Sequence, residues 1–342
     1  MRELKILAVV VILTLITYWG VEPFAHTQMH PHVSPANFKF EESDKVSAKE
    51  NVEKAQKALE EAKKANNEKT IKGATATLNE ATTFDKTINE FWASNKDALN
   101  AKGNAANGET LVTSNCTACH SIQSKGFPQL MDNASAGAAY GVTPPDLGSA
   151  GKLYSKEYLI AFIKNPALAS KVSHKFVDGR AHPMPGYDWI QPQEIADMVA
   201  YLESIAPKEM SNKEVFTDAC QRCHGIKYAD MKKGSMSAFT PNNDVKAYMG
   251  ILPPDLSQYI RSRSANYLET FVNDPQKQLP GTAMPRVGLT QESQAQVIKY
   301  LEEVGDSKKA QREELGPKFL IYLVIFAIFG FLWKASKWRE VH

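Results

Sequence analysis

The stretch Cys116-Thr117-Ala118-Cys119-His120 decides the fold of this chain, and it recurs as Cys220-Gln221-Arg222-Cys223-His224. This CxxCH pattern is the attachment signature of c-type haem. Two thiols three residues apart can form thioether bonds to the two vinyl groups of one haem, and the histidine that follows can reach the iron as a ligand. The two motifs use all four cysteines of the chain. The sequence therefore predicts two covalently bound haem c groups.

Other sites also contain paired cysteines. A zinc site built from two CxxC pairs is possible in principle, and so are a redox dithiol and a structural disulfide. None of these explains a histidine directly after each pair. Haem attachment is the interpretation that accounts for every residue of both motifs.

A repeat downstream of each motif locates the candidate sixth ligand of each iron. The first copy contains Pro144-Pro145-Asp146-Leu147 and later Met184-Pro185, and the second contains Pro253-Pro254-Asp255-Leu256 and later Met284-Pro285. Two copies of one module are a stronger signal than either copy alone. A thioether is a soft ligand that raises the potential of haem iron, and a following proline stiffens the loop. We therefore expect His120 with Met184 at one iron, and His224 with Met284 at the other.

Other residues could take these ligand positions. His182 and His174 are the alternatives at the first iron, and Met236 and Met249 are those at the second. Met198 lies in a helical pattern and is interpreted as a core residue.

Both copies resemble class I cytochrome c domains. In that family a glycine and an aromatic residue precede CxxCH on the first helix, and here each copy keeps one of the two, as Gly108 with Val112 and as Asn212 with Phe216. The resemblance implies that Pro145 and Pro254 accept a hydrogen bond from the ligand histidines, an interaction that fixes the imidazole tautomer. It also implies that Tyr201-Leu202 and Tyr300-Leu301 pack on the first helix of each domain.

The resulting expectation is a mainly α-helical chain with two tandem class I cytochrome c domains, a helical-hairpin insertion and transmembrane helices at both ends. The 342 residues leave room for two or three domains, and a net charge of +2 does not indicate a nucleic-acid partner. The expected divisions are an N-terminal anchor (1–22), a linker with the hairpin (23–102), the first unit (103–207), the second unit (208–306), and a C-terminal helix with a basic tail (307–342).

Apolar segments near both ends predict two membrane helices. Residues 4–21 follow Arg2 and end in Tyr18-Trp19, which is typical of an uncleaved anchor with an interfacial aromatic belt; a cleaved secretory signal is the alternative. Residues 319–333 are expected to begin a second helix just after Gly316-Pro317, with the proline in the first turn. Basic residues lie at the end of each segment that is nearer the chain terminus. They indicate that both termini are cytoplasmic and that the haem domains lie in the periplasm of a bacterial inner membrane.

The segment between the anchor and the first unit has its own character. Residues 22–32 are expected to leave the membrane as an irregular chain, and three histidines there (His26, His30 and His32) are a weak candidate metal site. Residues 41–101 predict an antiparallel helical hairpin, starting with a capping box at Ser47 and Glu50 and broken at Asn66-Asn67. An aromatic stripe on its second helix must pack on something, and a partner subunit is one possibility. Residues 228–252 are expected to form an irregular insertion.

The arrangement of two c-type domains, a C-terminal anchor and a short basic tail resembles the dihaem cytochrome c1 of certain bacterial bc complexes. That resemblance implies electron transfer from a Rieske iron–sulfur protein to a soluble cytochrome c or a terminal oxidase. It further implies a cytochrome b partner, a dimer of the whole complex, and no bond-making catalysis by this chain.

The same features raise three other functions. The dihaem subunit of a cbb3-type oxidase is disfavoured because it carries its anchors at the N-terminal end. A dihaem peroxidase is disfavoured because it needs an open iron site. An independent membrane-tethered electron shuttle remains possible.

Overall fold

The computed structural model describes residues 2–29, 33–140, 142–177, 181–234 and 242–341, and within these ranges the chain is helical, with three isolated β-bridges and no strand. The fold therefore confirms the predicted mainly helical class. The helices of eight or more residues are Arg2–Ile16, Glu22–Met29, Phe40–Lys64, Glu68–Asn100, Ala105–Asn115, Asn133–Tyr140, Lys156–Lys164, Pro192–Ile205, Asn212–Ala219, Asn242–Met249, Ala265–Asn273, Gln291–Gly305 and Lys309–Val341. Shorter α-helices are Ala150–Leu153, Pro166–Ala169, Tyr259–Arg263 and Pro275–Gln278.

Two terminal segments, Arg2–Ala25 and Lys309–Glu340, are long and apolar enough to cross a membrane, and the apolar stretch of neither is buried against the protein. The first consists of Arg2–Ile16, a π-helical stretch at Thr17–Val21 and a further helix at Glu22–Met29. The expected irregular exit was therefore wrong as far as Met29, because the helix continues through Pro23 directly after the π-helical stretch, a local adjustment by which a helix accommodates a proline. His30 and His32 lie outside the described residues, as does the side chain of His26.

The C-terminal helix also differs from its predicted start. It begins at Lys309, so Pro317 lies inside the helix rather than in its first turn. A proline at that position removes one backbone hydrogen bond. Two ion pairs stabilise the part of the helix around this proline: Arg312 pairs with Asp306 (2.7 Å), and Lys318 pairs with Glu314 (2.6 Å).

The predicted hairpin is present as the antiparallel helices Phe40–Lys64 and Glu68–Asn100. Asn66 has a positive φ of 51°, and the Asn67 side chain caps the second helix by accepting a hydrogen bond from the Thr70 N–H. The predicted capping box at Ser47 was wrong, because the first helix begins seven residues earlier at Phe40. The reason is tertiary, since the Phe40 side chain is 1% exposed in a core shared with the first unit.

The aromatic stripe of the hairpin packs on this chain itself. Ile88, Phe91 and Trp92 are buried against Tyr158 and Ala161 of the helix Lys156–Lys164. Burial of large apolar side chains is the main favourable term in such a contact. The hairpin is thus part of the folded body, and this chain covers the end of the stripe at Ile88, Phe91 and Trp92, while Phe84 remains 41% exposed.

In each unit the helix that precedes CxxCH packs on the last helix of that unit. In the first unit, Gly108 lets Ala105–Asn115 approach Pro192–Ile205 so closely that an added Cβ would lie 2.0 Å from the Asp197 carbonyl oxygen. In the second unit, the Phe216 ring packs on Tyr300, with ring centroids 5.2 Å apart. Each unit therefore uses the one family feature that its sequence keeps.

The segment 228–252 was expected to be irregular, and its described part is more ordered than that. It contains a helix at Asn242–Met249, with the Val245 side chain 1% exposed. Residues 235–241, including the alternative ligand Met236, lie outside the described residues.

Candidate haem sites

The first CxxCH motif is a tight turn at the end of a capped helix. The Asn104 side chain accepts hydrogen bonds from the first turn of Ala105–Asn115. The N–H groups of Cys119 and His120 both donate to the Cys116 carbonyl, at 3.1 and 2.9 Å. The turn therefore brings both thiols and the imidazole to one side of the helix end.

The imidazole of His120 is oriented by the loop that contains Pro145. Its Nδ1 lies 2.7 Å from the Pro145 carbonyl oxygen, so Nδ1 donates and Nε2 is left as the ligand nitrogen. Asp146 holds this loop in place by accepting from the Ser121 hydroxyl (2.7 Å) and from the Gln123 N–H (2.9 Å). Burial lowers the pKa of His120 below its usual range, which favours the neutral imidazole that a metal requires.

The second motif repeats this geometry. The N–H groups of Cys223 and His224 donate to the Cys220 carbonyl, and the His224 Nδ1 lies 2.9 Å from the Pro254 carbonyl oxygen. Asp255 accepts from the Lys227 N–H at 2.9 Å. Burial again lowers the pKa of the ligand histidine.

The thiols bear on the choice between haem and redox chemistry. Burial raises the pKa of Cys116 to about 11 and that of Cys220 to about 12. A catalytic dithiol needs a lowered thiol pKa, so these sites do not suit dithiol exchange. The described residues also contain no cluster of three or more His, Cys, Asp or Glu side chains that would hold a metal ion. Two thiols with an oriented, neutral imidazole fit covalent haem.

The loop of Met184 is tied to the first motif by Tyr187. The Tyr187 hydroxyl donates to the carbonyl of Asn115, the residue directly before Cys116, at 3.0 Å, and its N–H donates to the Ile163 carbonyl at 2.9 Å. Gly186 packs against the end of Lys156–Lys164, where an added Cβ would lie 2.7 Å from the Lys164 carbonyl oxygen. The loop is therefore fixed beside the haem-binding turn.

The alternative ligand His182 is engaged with the same loop. Its Nδ1 lies 3.1 Å from the Met184 backbone nitrogen and 3.0 Å from the Met184 carbonyl oxygen. Its ring packs edge-on against Phe176, with centroids 4.9 Å apart. These contacts order the loop around Met184, and Met184 stays the proposed ligand because of its matching place in the repeat.

The Met284 loop is held partly by the other unit. The Met284 N–H approaches the Thr282 hydroxyl at 3.3 Å within its own loop. The Arg286 N–H donates to the Ser170 carbonyl (2.9 Å), and the Arg286 carbonyl accepts from the Tyr158 hydroxyl (2.8 Å). The loop that carries the proposed second sulfur ligand therefore depends on the first unit for its conformation.

The two haem-binding turns meet at Arg222, which lies between Cys220 and Cys223. Its Nη2 donates to the Thr143 carbonyl at 2.6 Å, two residues before the Pro145 that orients His120. Its charge contributes, after burial, to the lowered pKa of His120. Sequence reasoning missed this contact, because nothing in CxxCH indicates what the intervening residues touch.

Comparisons with known proteins agree with this geometry. The family described as cytochrome c matches residues 105–206 and 212–305. A cytochrome c-553-like protein of Synechocystis sp. is 27% identical over 107 residues, which cover 31% of this chain and 74% of that protein. A chain in a structure titled "Hyperthermophilic respiratory Complex III" is 22% identical, with a TM-score of 0.31, and the match covers 38% of this chain and 75% of that chain. That structural similarity is too weak to bear on assembly.

The family match spans more than half of the chain and includes both CxxCH turns, whose imidazoles are oriented by the Pro145 and Pro254 carbonyls. The protein therefore belongs to the cytochrome c family, as an electron-transfer protein with two covalently bound haem c groups.

Proposed function

We propose that this chain is a membrane-anchored dihaem subunit of a respiratory quinol–cytochrome c reductase, in the position of cytochrome c1. In this role it accepts electrons from a Rieske iron–sulfur protein and passes them to a soluble cytochrome c or an oxidase. When bound, haem c supplies one-electron redox chemistry, and the protein's task is to ligate, orient and insulate it. No acid, base or nucleophile is required of the chain.

The contact between the second CxxCH turn and the Pro145 loop of the first unit carries this proposal. The Arg222 Nη2 lies 2.6 Å from the Thr143 carbonyl oxygen, and the Ser149 hydroxyl donates to Asp218 at 2.6 Å. Both bonds join the first unit to the segment around the second CxxCH motif. A rigid junction at this point favours transfer within one subunit over two domains that act separately.

The proposed ligands complete each site. Met184 and Met284 would hold the irons through their thioether sulfurs together with His120 and His224, and such ligation would raise the potential of each iron. Raised potentials suit oxidation of an iron–sulfur centre. A methionine on each iron would also leave no open position for peroxide.

The terminal helices support the membrane topology. Lys334 Nζ lies 3.4 Å from Glu3 Oε2, which brings the start of the first helix beside the end of the last. We propose that both helices cross the inner membrane, with the termini in the cytoplasm and residues 22–316 in the periplasm. A second helix exceeds what a simple tether needs, so lateral packing on other transmembrane helices, such as those of a cytochrome b, is the favoured role.

Mild detergent extraction followed by native electrophoresis with haem staining tests this function. We expect the chain to migrate with a b-type cytochrome and a Rieske protein, in a band with quinol–cytochrome c reductase activity. Migration alone, without b-type haem or that activity, would leave a tethered shuttle as the function. Co-migration with a copper-containing oxidase would support the cbb3-type alternative.

A further inference from the structure

A buried cluster of four charged side chains joins the hairpin to both units. It consists of Asp44, Lys171, Asp274 and Arg286, and we call it the charge cluster. The Arg286 Nη1 lies 2.8 Å from Asp44 Oδ2, and the Lys171 Nζ lies 2.7 Å from Asp274 Oδ2 and 3.3 Å from Asp44 Oδ1. Two carboxylates and two cations balance, so the cluster can be buried without a net charge.

The cluster is assembled from three parts of the chain. Asp44 comes from the hairpin helix Phe40–Lys64, Lys171 comes from the first unit, and Asp274 and Arg286 come from the second. The Asp44 side chain is 3% exposed and the Arg286 side chain 1%. Neither charge can be solvated if the other is removed.

The terminal nitrogens of Arg286 are held by groups outside its own loop. Both of its terminal nitrogens bond the Asp44 carboxylate, in a planar fork that lysine could not reproduce. The Phe40 ring lies 5.0 Å from the guanidinium carbon. The indole Nε1 of Trp92 donates to Asp44 Oδ2 at 3.2 Å, which in turn fixes the carboxylate.

Arg286 is the second residue after Met284. The segment between them is too short to move independently, so the position of the guanidinium constrains the position of the sulfur. At the other end of the loop, Gly288 has a positive φ of 72° and packs on the Tyr158 ring, where an added Cβ would lie 2.1 Å from a ring atom. The loop is clamped after Met284 by the hairpin and by the first unit.

We propose that the helical hairpin acts as a clamp that holds the Met284 sulfur at the second haem, and that Asp44 is its positioning residue through Arg286. This inference rests on the proposed ligation by Met284. It gives the hairpin, which is not part of the general class I pattern, a role in the redox site.

The test is Asp44→Asn in the full chain, purified with both haems. The readout is the long-wavelength charge-transfer band of methionine-ligated ferric haem, together with carbon monoxide binding by the ferrous protein. Wild type is expected to show the band from both haems and to bind no carbon monoxide. The variant is expected to lose half of the band and to bind one carbon monoxide per chain.

The matched control is Glu41→Gln, one turn earlier on the same helix. The Glu41 carboxylate pairs with Lys45 (2.5 Å) and Lys96 (3.5 Å), both within the hairpin, and does not take part in the charge cluster. We expect this variant to keep the full band. An equal loss in both variants would show a general effect of hairpin charge and would overturn the positioning role.

Two further variants separate the ways of failing. Met284→His should by itself remove half of the band. A full band in that variant would show that Met284 is not the ligand, which refutes the proposed ligation as well as the clamp. If Met284→His halves the band and Asp44→Asn leaves it unchanged, the clamp is refuted while the ligand stands. If Asp44→Asn does not accumulate, Arg286→Lys retains the charge but not the fork; a weakened band at the second haem supports the clamp, and an unchanged band refutes it.

Discussion

Replacing Gly108 with alanine is expected to force apart the first and last helices of the first unit. An ideal Cβ at this position would lie 2.0 Å from the Asp197 carbonyl oxygen, 2.6 Å from the Asp197 carbonyl carbon and 2.8 Å from Tyr201 Cβ. The two nearest are backbone atoms of the helix Pro192–Ile205, so no side-chain rotation relieves the overlap. The helices themselves must shift.

The size of the effect follows from that overlap. Reaching an ordinary contact of 3.4 Å requires a shift of about 1.4 Å between two packed helices. Overpacking of this kind costs roughly 1–3 kcal/mol, and the overlap with backbone places Gly108→Ala at the upper end. Alanine recovers about 1 kcal/mol of helix propensity. The net destabilisation is then about 2 kcal/mol, which corresponds to a roughly 30-fold change in the opening equilibrium.

Hydrogen exchange read by mass spectrometry on the haem-loaded protein localises this change. Peptides from Ala105–Asn115 and Pro192–Ile205 should exchange about 30-fold faster, while those of the second unit should not change. Gly73→Ala is the control, since no described heavy atom beyond its own helix backbone lies within 4 Å of an added Cβ there, and it should stabilise its helix by about 0.5–1 kcal/mol. Unchanged or slower exchange around Gly108→Ala would refute the close-packing argument.

Three more changes have expected outcomes. Arg222→Gln removes a positive charge that lies beside His120 and within the second CxxCH motif, and it should lower both haem potentials by an amount on the order of tens of millivolts, measured by redox titration. Met184→His exchanges a thioether for an imidazole and should lower the potential of one haem while leaving the other nearly unchanged. Burial by itself raises the pKa of Asp44, but the cluster's cations Arg286 and Lys171 outweigh it and hold the pKa below its usual range. The protection factors of the hairpin amides, which correct for the intrinsic exchange rate, should therefore stay high at neutral pH and fall as the pH drops below roughly 4.

Each of these three predictions has an outcome that would contradict it, and the first also has a control variant. Lys86→Gln removes an exposed charge paired with Glu90 at 3.8 Å and should leave both potentials in place. Equal shifts in this control and in the arginine variant would remove the case for a local effect at the haem junction. Unchanged potentials and spectra in the Met184 variant would return His182 to consideration as the ligand. For the hairpin, the depressed pKa of Asp44 fixes the direction of the pH dependence: the stabilisation by the ionised carboxylate is present above its unfolded pKa and is lost in acid. An Asp44→Asn protein with the same loss of protection in acid would contradict this assignment.

The two CxxCH turns and their proline acceptors could be predicted from local sequence patterns because their geometry is local. CxxCH closes on itself through hydrogen bonds to the Cys116 and Cys220 carbonyls, and the proline acceptors lie in a repeated tetrapeptide. The hairpin and the terminal helices of each unit likewise followed from composition and helical spacing. Their boundaries were less reliable, since burial of Phe40 extends one helix and Pro317 is tolerated inside another.

The contacts that join the parts were not predictable from one sequence. Asp44 and Arg286 are separated by 242 residues, and each alone is an ordinary charged side chain. Arg222 occupies a variable position of CxxCH, and Lys171 lies in a turn with a positive φ of 58°. Only the packing of the hairpin, the first unit and the second unit against one another brings these groups together. That packing depends on the shape of whole faces rather than on any short pattern.

Reduction of the purified assembly by a quinol tests the central claim most directly. The absorbance of c-type haem is followed after a quinol is added, first without and then with a soluble cytochrome c. The account predicts that two equivalents of haem c are reduced per chain by way of the Rieske protein, and that both are reoxidised when the soluble cytochrome is added. Haem c that stays oxidised with quinol, yet is reduced at once by ascorbate, would contradict a place for this chain in quinol oxidation.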